Sequence, residues 1–308
     1  MSAHEHDHDH DEHREGLSYD LPQMQERGMV RRTMGRRGLL GVFGGLGAAA
    51  ALAACGSDDT VDLSSSSTSS SASSGAGPGG TPPDGGQGGG GSVSQEGLDD
   101  GDIPEETAGP YPGDGSNGVD VLSESGIVRQ DIRSSFGDAT GVAEGVPMTI
   151  NLAVYDNSSA GMSAYAGAAV YLWHCDRDGN YSLYSDGITE ENYLRGVQEV
   201  AADGTVSFTS IFPACYSGRW PHLHFEVYPS IDDATSASGK LRTSQIAMPQ
   251  DVCDTVYGTA EGYEQSVSNF AQVSLDSDNV FSDGHSLQMA TLTGSVDEGY
   301  TLALNVPV

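Results

Sequence analysis

Two histidines stand one residue apart in Arg219-Trp220-Pro221-His222-Leu223-His224-Phe225-Glu226-Val227. On a strand, side chains at i and i+2 share a face, so both imidazoles can meet one ion. Leu223, Phe225 and Val227 take the opposite face, which commits that side to a core and leaves the other for ligands. No cysteine or carboxylate lies at zinc-type spacing to complete a coordination shell. The nearby donors are Tyr216, six residues before His222, and Tyr181, which follows Asp178-Gly179-Asn180. Phenolate oxygen is a hard, anionic donor suited to a hard ion such as Fe(III). A tyrosine taken alone is more often a packed side chain than a ligand, so residue types leave the ligand set open. His174 and His285 show no comparable pattern and are expected in packing or at the surface.

The elements that must hold these residues read as strands. Met148, Ile150, Leu152 and Val154 alternate with polar or small residues and stop at Asp156-Asn157-Ser158. Ala169-Val170-Tyr171-Leu172-Trp173 is continuously apolar, as in a strand buried on both faces, and ends at the turn-forming Asp176-Arg177-Asp178-Gly179-Asn180. Val206 and Phe208 alternate again, and Leu302, Leu304 and Val306 close the chain. Only 190–194 and 254–263 hint at helix. Short alternating runs between Gly, Asp and Asn turns predict an all-β fold, an antiparallel β-sandwich.

Composition narrows the partners. The 308 residues carry 44 acidic against 13 basic side chains, a formal charge of -31. Six of the basic residues (Arg14, Arg27, Arg31, Arg32, Arg36 and Arg37) precede Cys55, and the remainder includes a single lysine, Lys240. Nucleic-acid binding depends on Lys and Arg neutralising phosphates, so nucleic acid is excluded as an expected partner. Acidity of this kind serves solubility.

The N-terminal third reads as targeting and tether. His4, His6, His8, His10 and His13 alternate with acidic residues; such a tract can hold Zn, Ni or Cu loosely, but a leader removed with the signal is expected. Arg36-Arg37-Gly38-Leu39-Leu40 matches a twin-arginine export signal, and Leu52-Ala53-Ala54-Cys55 resembles a lipobox whose cysteine is lipidated after cleavage. The expected organisation is a signal region over 1–54, a Ser/Gly/Pro-rich linker over 55–102 and a folded domain over 103–308. Export by the twin-arginine route follows, with an anchor on the outer side of the cytoplasmic membrane or in the outer membrane. The lipid on Cys55 is the one membrane contact expected. The linker cannot bury enough apolar surface to offset its ordering entropy. As a coil it would span roughly 40 Å.

Three segments in order carry a family resemblance. Trp173-His174-Cys175-Asp176-Arg177-Asp178-Gly179-Asn180-Tyr181 resembles the intradiol ring-cleavage dioxygenase motif around the first tyrosine ligand. Pro213-Ala214-Cys215-Tyr216 resembles the segment carrying the second, and Gly218-Arg219-Trp220-Pro221-His222-Leu223-His224 the family's arginine followed by two histidine ligands. Thr107-Ala108-Gly109-Pro110-Tyr111 is similar to the opening motif of exported members. The likeness covers about 105 to 308 and is nearest to exported forms related to protocatechuate 3,4-dioxygenase β subunits. Two features depart from the family: a shorter loop between Tyr216 and His222 than in catechol 1,2-dioxygenases, and the cysteines Cys215 and Cys253.

The resemblance implies one Fe(III) per site, held by Tyr181 and His222 as equatorial and Tyr216 and His224 as axial ligands. It implies cleavage of a small aromatic diol by O2 to a muconate-type diacid, within aromatic catabolism. The catechol would displace a hydroxide and the Tyr216 phenolate, which take its two protons. Arg219 would stabilise negative charge on the ring, Gln245 would act as a polar neighbour, and Tyr111 would line the mouth. In an exported protein Cys215 and Cys253 are a candidate disulfide, leaving Cys175 free. A homo-oligomer stays open. The alternative is an exported β-sandwich module that binds a ligand or iron without catalysis.

Overall fold

The structure is a computed structural model and describes residues 101–158 and 161–308. The twin-arginine signal, the lipobox with Cys55 and the linker as far as 100 lie outside the described residues.

Each apolar run forms a strand. The strands are β1 (Pro147–Ser158), β2 (Gly161–Ala164), β3 (Ala169–Trp173), β4 (Arg195–Glu199), β5 (Thr205–Ile211), β6 (His222–Tyr228), β7 (Arg242–Ala247), β8 (Thr291–Ser295) and β9 (Gly299–Pro307). Helices α1 (Gln250–Thr259) and α2 (Glu264–Phe270) separate β7 from β8. One sheet runs β4-β3-β6-β7, antiparallel throughout; the other runs β2-β1-β9-β8, with β5 also paired to β1. The all-β expectation holds, with one refinement: β1 and β9 pair in parallel, so that sheet is mixed. Alternation reports which face is buried and is the same for either strand direction.

Helix falls elsewhere than the sequence hints. Residues 190–194 form no helix, because Leu194 takes a left-handed φ of 56° and its N–H donates to the carbonyl of Ile132 instead. The hint at 254–263 is displaced toward the N-terminus. α1 starts after Pro249 and gives way at Ala260, whose backbone is extended.

The main core lies between the sheets. Ile150, Leu152 and Val154 of β1 and Leu302, Leu304 and Val306 of β9 meet Val170, Leu172, Leu223, Phe225 and Val227 of β3 and β6. Phe225 is fully buried there, and truncating such a side chain to Ala costs about 3–5 kcal/mol. The outer face of β3, with Ala169, Tyr171 and Trp173, packs into a second cluster with Tyr181, Val121 and Ile127. Burial on both faces explains why β3 is apolar without a break. Register then sets His224 opposite Trp173 on one side and Gln245 on the other. The outer face of β6 is buried as well, because segment 103–136 and the loop after β3 cover it.

Candidate metal centre

His222 and His224 project from the outer face of β6 with their Nε2 atoms 3.1 Å apart. The Tyr216 hydroxyl lies 3.2 Å from His222 Nε2. The Tyr181 ring completes the group, 6.0 Å from the Tyr216 ring and 6.2 Å from the His224 ring between centroids. Among the described residues its buried hydroxyl has no close hydrogen-bond partner, and neither does His224 Nδ1. The structure thus brings together all four of the residues singled out as ligands. Among the described residues no cluster of three or more His, Cys, Asp or Glu could hold a metal.

Each side chain is set by its local chain. His222 Nδ1 lies 2.5 Å from the carbonyl oxygen of Trp220, which can only accept; the proton sits on Nδ1 and the Nε2 lone pair faces the cluster. Trp173 stacks flat on His224, with centroids 5.0 Å apart at 6°. Tyr181 follows a turn organised by Asp176, whose Oδ1 accepts the N–H groups of Asp178 and Asn180. Burial pushes the Asp176 carboxyl up to about 6. Gly179 in that turn has φ 89°, and a Cβ there would stand 3.2 Å from Tyr216 Cβ, so the turn needs glycine to pack. Tyr216 is placed by its neighbour: Cys215 N–H donates to Ser266 Oγ at 3.0 Å, and Asn269 Nδ2 donates to the Cys215 carbonyl at 2.9 Å.

The charge states suit ligation. Burial first, then the Arg219 charge, hold His222 far below the usual imidazole range; burial, His222 and Arg219 do the same for His224. Both are therefore neutral donors near neutral pH. Burial raises Tyr181 well above the ordinary phenol value, so without a cation it keeps its proton. A metal ion reverses that preference. The donor set fits such an ion: two donors at about 2.0–2.1 Å from one ion and near right angles are about 3 Å apart. Without an ion the same 3.1 Å is bridged by a hydrogen bond from His224 Nε2–H to His222 Nε2, and an ion would displace that proton. Tyr181, His222 and His224 are buried, whereas Tyr216 is half-buried.

Arg219 borders the cluster. Its Nε donates to Asp278 Oδ2 at 2.9 Å, its Nη2 to Gln245 Oε1 at 2.6 Å, and its Nη1 lies 3.3 Å from His222 Nε2. Gln245 in turn donates from Nε2 to the Thr107 carbonyl at 2.8 Å and so ties the arginine to the strap 107–111. The strap crosses the site at Gly109, which has φ 73° and whose Cβ would come within 3.3 Å of His224 Cε1. Tyr111 lies beside Tyr181, with centroids 5.0 Å apart. Ala108, Gly109, Pro110, Tyr111, Tyr181, Tyr216, Arg219 and His224 line a tight recess beside the cluster.

Other residues stand apart from the cluster. His174 is buried and bonded to the Cys175 carbonyl and Ser210 Oγ, a packing role, and burial lowers it to about 4. His285 is half-buried, with Nδ1 3.1 Å from the Phe281 carbonyl. The candidate Cys215–Cys253 disulfide is not formed in the structure. Cys175, Cys215 and Cys253 are buried free thiols, and Cys215 Sγ lies 3.5 Å from the Arg219 carbonyl instead. Three partners of the site escaped sequence reasoning. Asp278 sits in Ser277-Asp278-Asn279, which matches no pattern. Arg195 holds the strap by donating to the carbonyls of Tyr111 and Pro112 at 2.9 and 2.8 Å. Trp173 reads as core, although its position one residue from His174 and opposite β6 could have drawn notice.

No protein-family model matches the chain. The curated chlorocatechol 1,2-dioxygenase of Rhodococcus opacus is 42% identical over 50 residues, 16% of this chain. That stretch is 20% of the relative, so the chain spans about a fifth of the length of the curated relative it matches. An intradiol ring-cleavage dioxygenase from Tetranychus urticae is 24% identical, with a TM-score of 0.47 over 60% of this chain and 87% of that one. The 3-chlorocatechol 1,2-dioxygenase of Rhodococcus opacus 1CP is 14% identical, with a TM-score of 0.36 over 58% and 64%. The dioxygenase domain of a carbohydrate-binding fusion protein from Streptomyces sp. SirexAA-E covers 68% of this chain and 98% of its own, at 17% identity and a TM-score of 0.42. The chain resembles the intradiol ring-cleavage dioxygenases. This is the family that the motifs around Tyr181, Tyr216, Arg219, His222 and His224 point to.

Proposed function

We propose that the protein is a non-haem Fe(III) dioxygenase that opens catechol rings between the two oxygenated carbons, giving muconate-type diacids. The observation that carries this reading is the convergence of two phenols and two neutral imidazoles, with Tyr216, His222 and His224 donors 3.1–3.2 Å apart and the Tyr181 hydroxyl buried without a partner. Tyr181, Tyr216, His222 and His224 would hold the iron. Bound there, Fe(III) would acidify the catechol hydroxyls and activate the ring toward O2.

The chain's own groups do the rest. Tyr216 is the half-buried member of the four and would take a substrate proton on its phenolate oxygen. Arg219 keeps its charge, and its Nη1 is the arm left to face the site once Asp278 and Gln245 have engaged Nε and Nη2. That arm would stabilise negative charge developing on the ring oxygens. Trp173 fixes the His224 ring, and the strap at Gly109 excludes water. We further propose export and lipid anchoring through Cys55, on the strength of the Arg36-Arg37 and Leu52–Cys55 signals.

The test combines metal analysis, the visible spectrum and oxygen uptake on iron-loaded protein. Stoichiometric iron, a red-brown tyrosinate band and O2 consumption with catechol are expected. Iron and colour without uptake on any catechol would favour an iron-binding protein without catalysis. Absence of all three would favour a ligand-binding β-sandwich module.

A further inference from the structure

The cavity beside the four donors contains one cation, and that cation is already matched within the fold. Asp278 and Gln245 hold two of the three nitrogens of Arg219, and the Arg219–Asp278 pair is buried on both sides. What faces the cavity is a neutral ion pair presenting a single nitrogen. A carboxylate is best held by the two parallel N–H groups of a guanidinium fork, and Arg219 has no fork left to offer. The strap contributes little else. Pro110 has no N–H, Gly109 N–H already donates to Thr107 Oγ1, and Ala108 has only its uncharged amide.

Among the described residues the other cations already have their N–H groups engaged elsewhere. Arg133, Arg177 and Arg242 are paired with Asp131, Glu144 and Asp102. Lys240 is paired with Glu226, and Arg129 and Arg195 donate to backbone carbonyls. The strap is flanked by both signs: Arg195 donates from Nη2 to the Tyr111 carbonyl, and Glu106, which immediately precedes the strap, accepts from Gln288 Nε2. The chain as a whole carries -31.

We propose that this site selects catechols whose rings carry no charge and discriminates against rings bearing a carboxylate. The inference rests on the catechol-cleaving reading above and names the substrate class within it. The two ring hydroxyls have their partners in the donor cluster. A ring carboxylate would be a third charge, buried without a guanidinium fork to receive it. Tyr111 has no charge to offer it.

The test is an oxygen-free binding titration of the iron-loaded full chain, read by calorimetry and by the visible band. Three probes are used: catechol, 3,4-dihydroxybenzamide and 3,4-dihydroxybenzoate. The amide matches the carboxylate in size and lacks its charge. Catechol and the amide should bind within a few-fold of one another, and the carboxylate weaker by about tenfold or more, equivalent to about 1.4 kcal/mol. A carboxylate bound as tightly as the amide overturns the proposal while leaving the catechol reading standing. An amide as weak as the carboxylate also overturns it, because bulk and not charge would then be excluded. Failure of all three probes to bind would remove the catechol reading itself, and this inference with it.

Discussion

Replacing Asp278 with Asn keeps the side-chain shape and removes the charge that anchors Arg219. In the structure the carboxylate accepts from five N–H groups. Oδ2 takes Arg219 Nε and the Trp220 amide at 2.9 and 2.7 Å. Oδ1 takes the amides of Val280 and Phe281 at 2.9 and 3.2 Å, with Arg219 Nη2 at 3.4 Å. An amide has one carbonyl oxygen, so whichever way it turns, two donors at good distance face an NH2 group. Each buried donor left without an acceptor costs about 1–3 kcal/mol, and breaking a buried ion pair costs about 3–5 kcal/mol. We expect a loss of about 3 kcal/mol, which lowers the urea midpoint by about 1 M at an m-value of about 3 kcal/mol/M. The four metal donors are untouched, so iron content should stay near stoichiometric while turnover falls at least about tenfold as Arg219 loses its fixed direction. Urea unfolding, metal analysis and single-turnover kinetics on one preparation separate these effects. An Asp278→Asn protein with the parent midpoint and the parent rate would refute the claim that this carboxylate positions Arg219.

Iron should depend on His222 and His224: Ala at both is expected to leave the protein almost metal-free, and stoichiometric iron in that double variant would sink the site. Tyr216→Phe should retain some iron and lose turnover more than substrate binding, because Phe cannot accept a proton. Tyr181→Phe should weaken iron affinity and the visible band together; a Tyr216→Phe enzyme at the parent rate would defeat the proposed proton acceptor. Burial pushes the Glu226 carboxyl up to about 7 despite Lys240, so folding favours its protonated form, and this group's contribution falls as pH rises from about 4.5 to 7. Glu226→Gln should therefore gain in stability relative to the parent between pH 5 and 7.5; urea midpoints whose difference is flat with pH would contradict this. Lys at both Arg36 and Arg37 should trap the precursor inside the cell, and Cys55→Ala should release the protein from membranes in a fractionation assay.

Periodicity along single strands was enough to determine much of the frame. Leu223, Phe225 and Val227 had to share one face and His222 and His224 the other, since alternation is a property of the extended chain itself. The unbroken run Ala169–Trp173 likewise announced a strand covered on both sides. Alternation could not reveal that β9 runs parallel to β1, because the pattern is blind to direction. The tyrosines are a different case. Nothing local marks Tyr181 or Tyr216 as ligands, and their assignment came from the order of family motifs. Their meeting with β6 depends on the Asp176 turn and on the packing of Cys215 against α2, contacts made in three dimensions. Asp278 was beyond reach for the same reason. It lies 59 residues from Arg219 along the chain, in a stretch with no motif, and the intervening fold alone brings its carboxylate to 2.9 Å from that guanidinium.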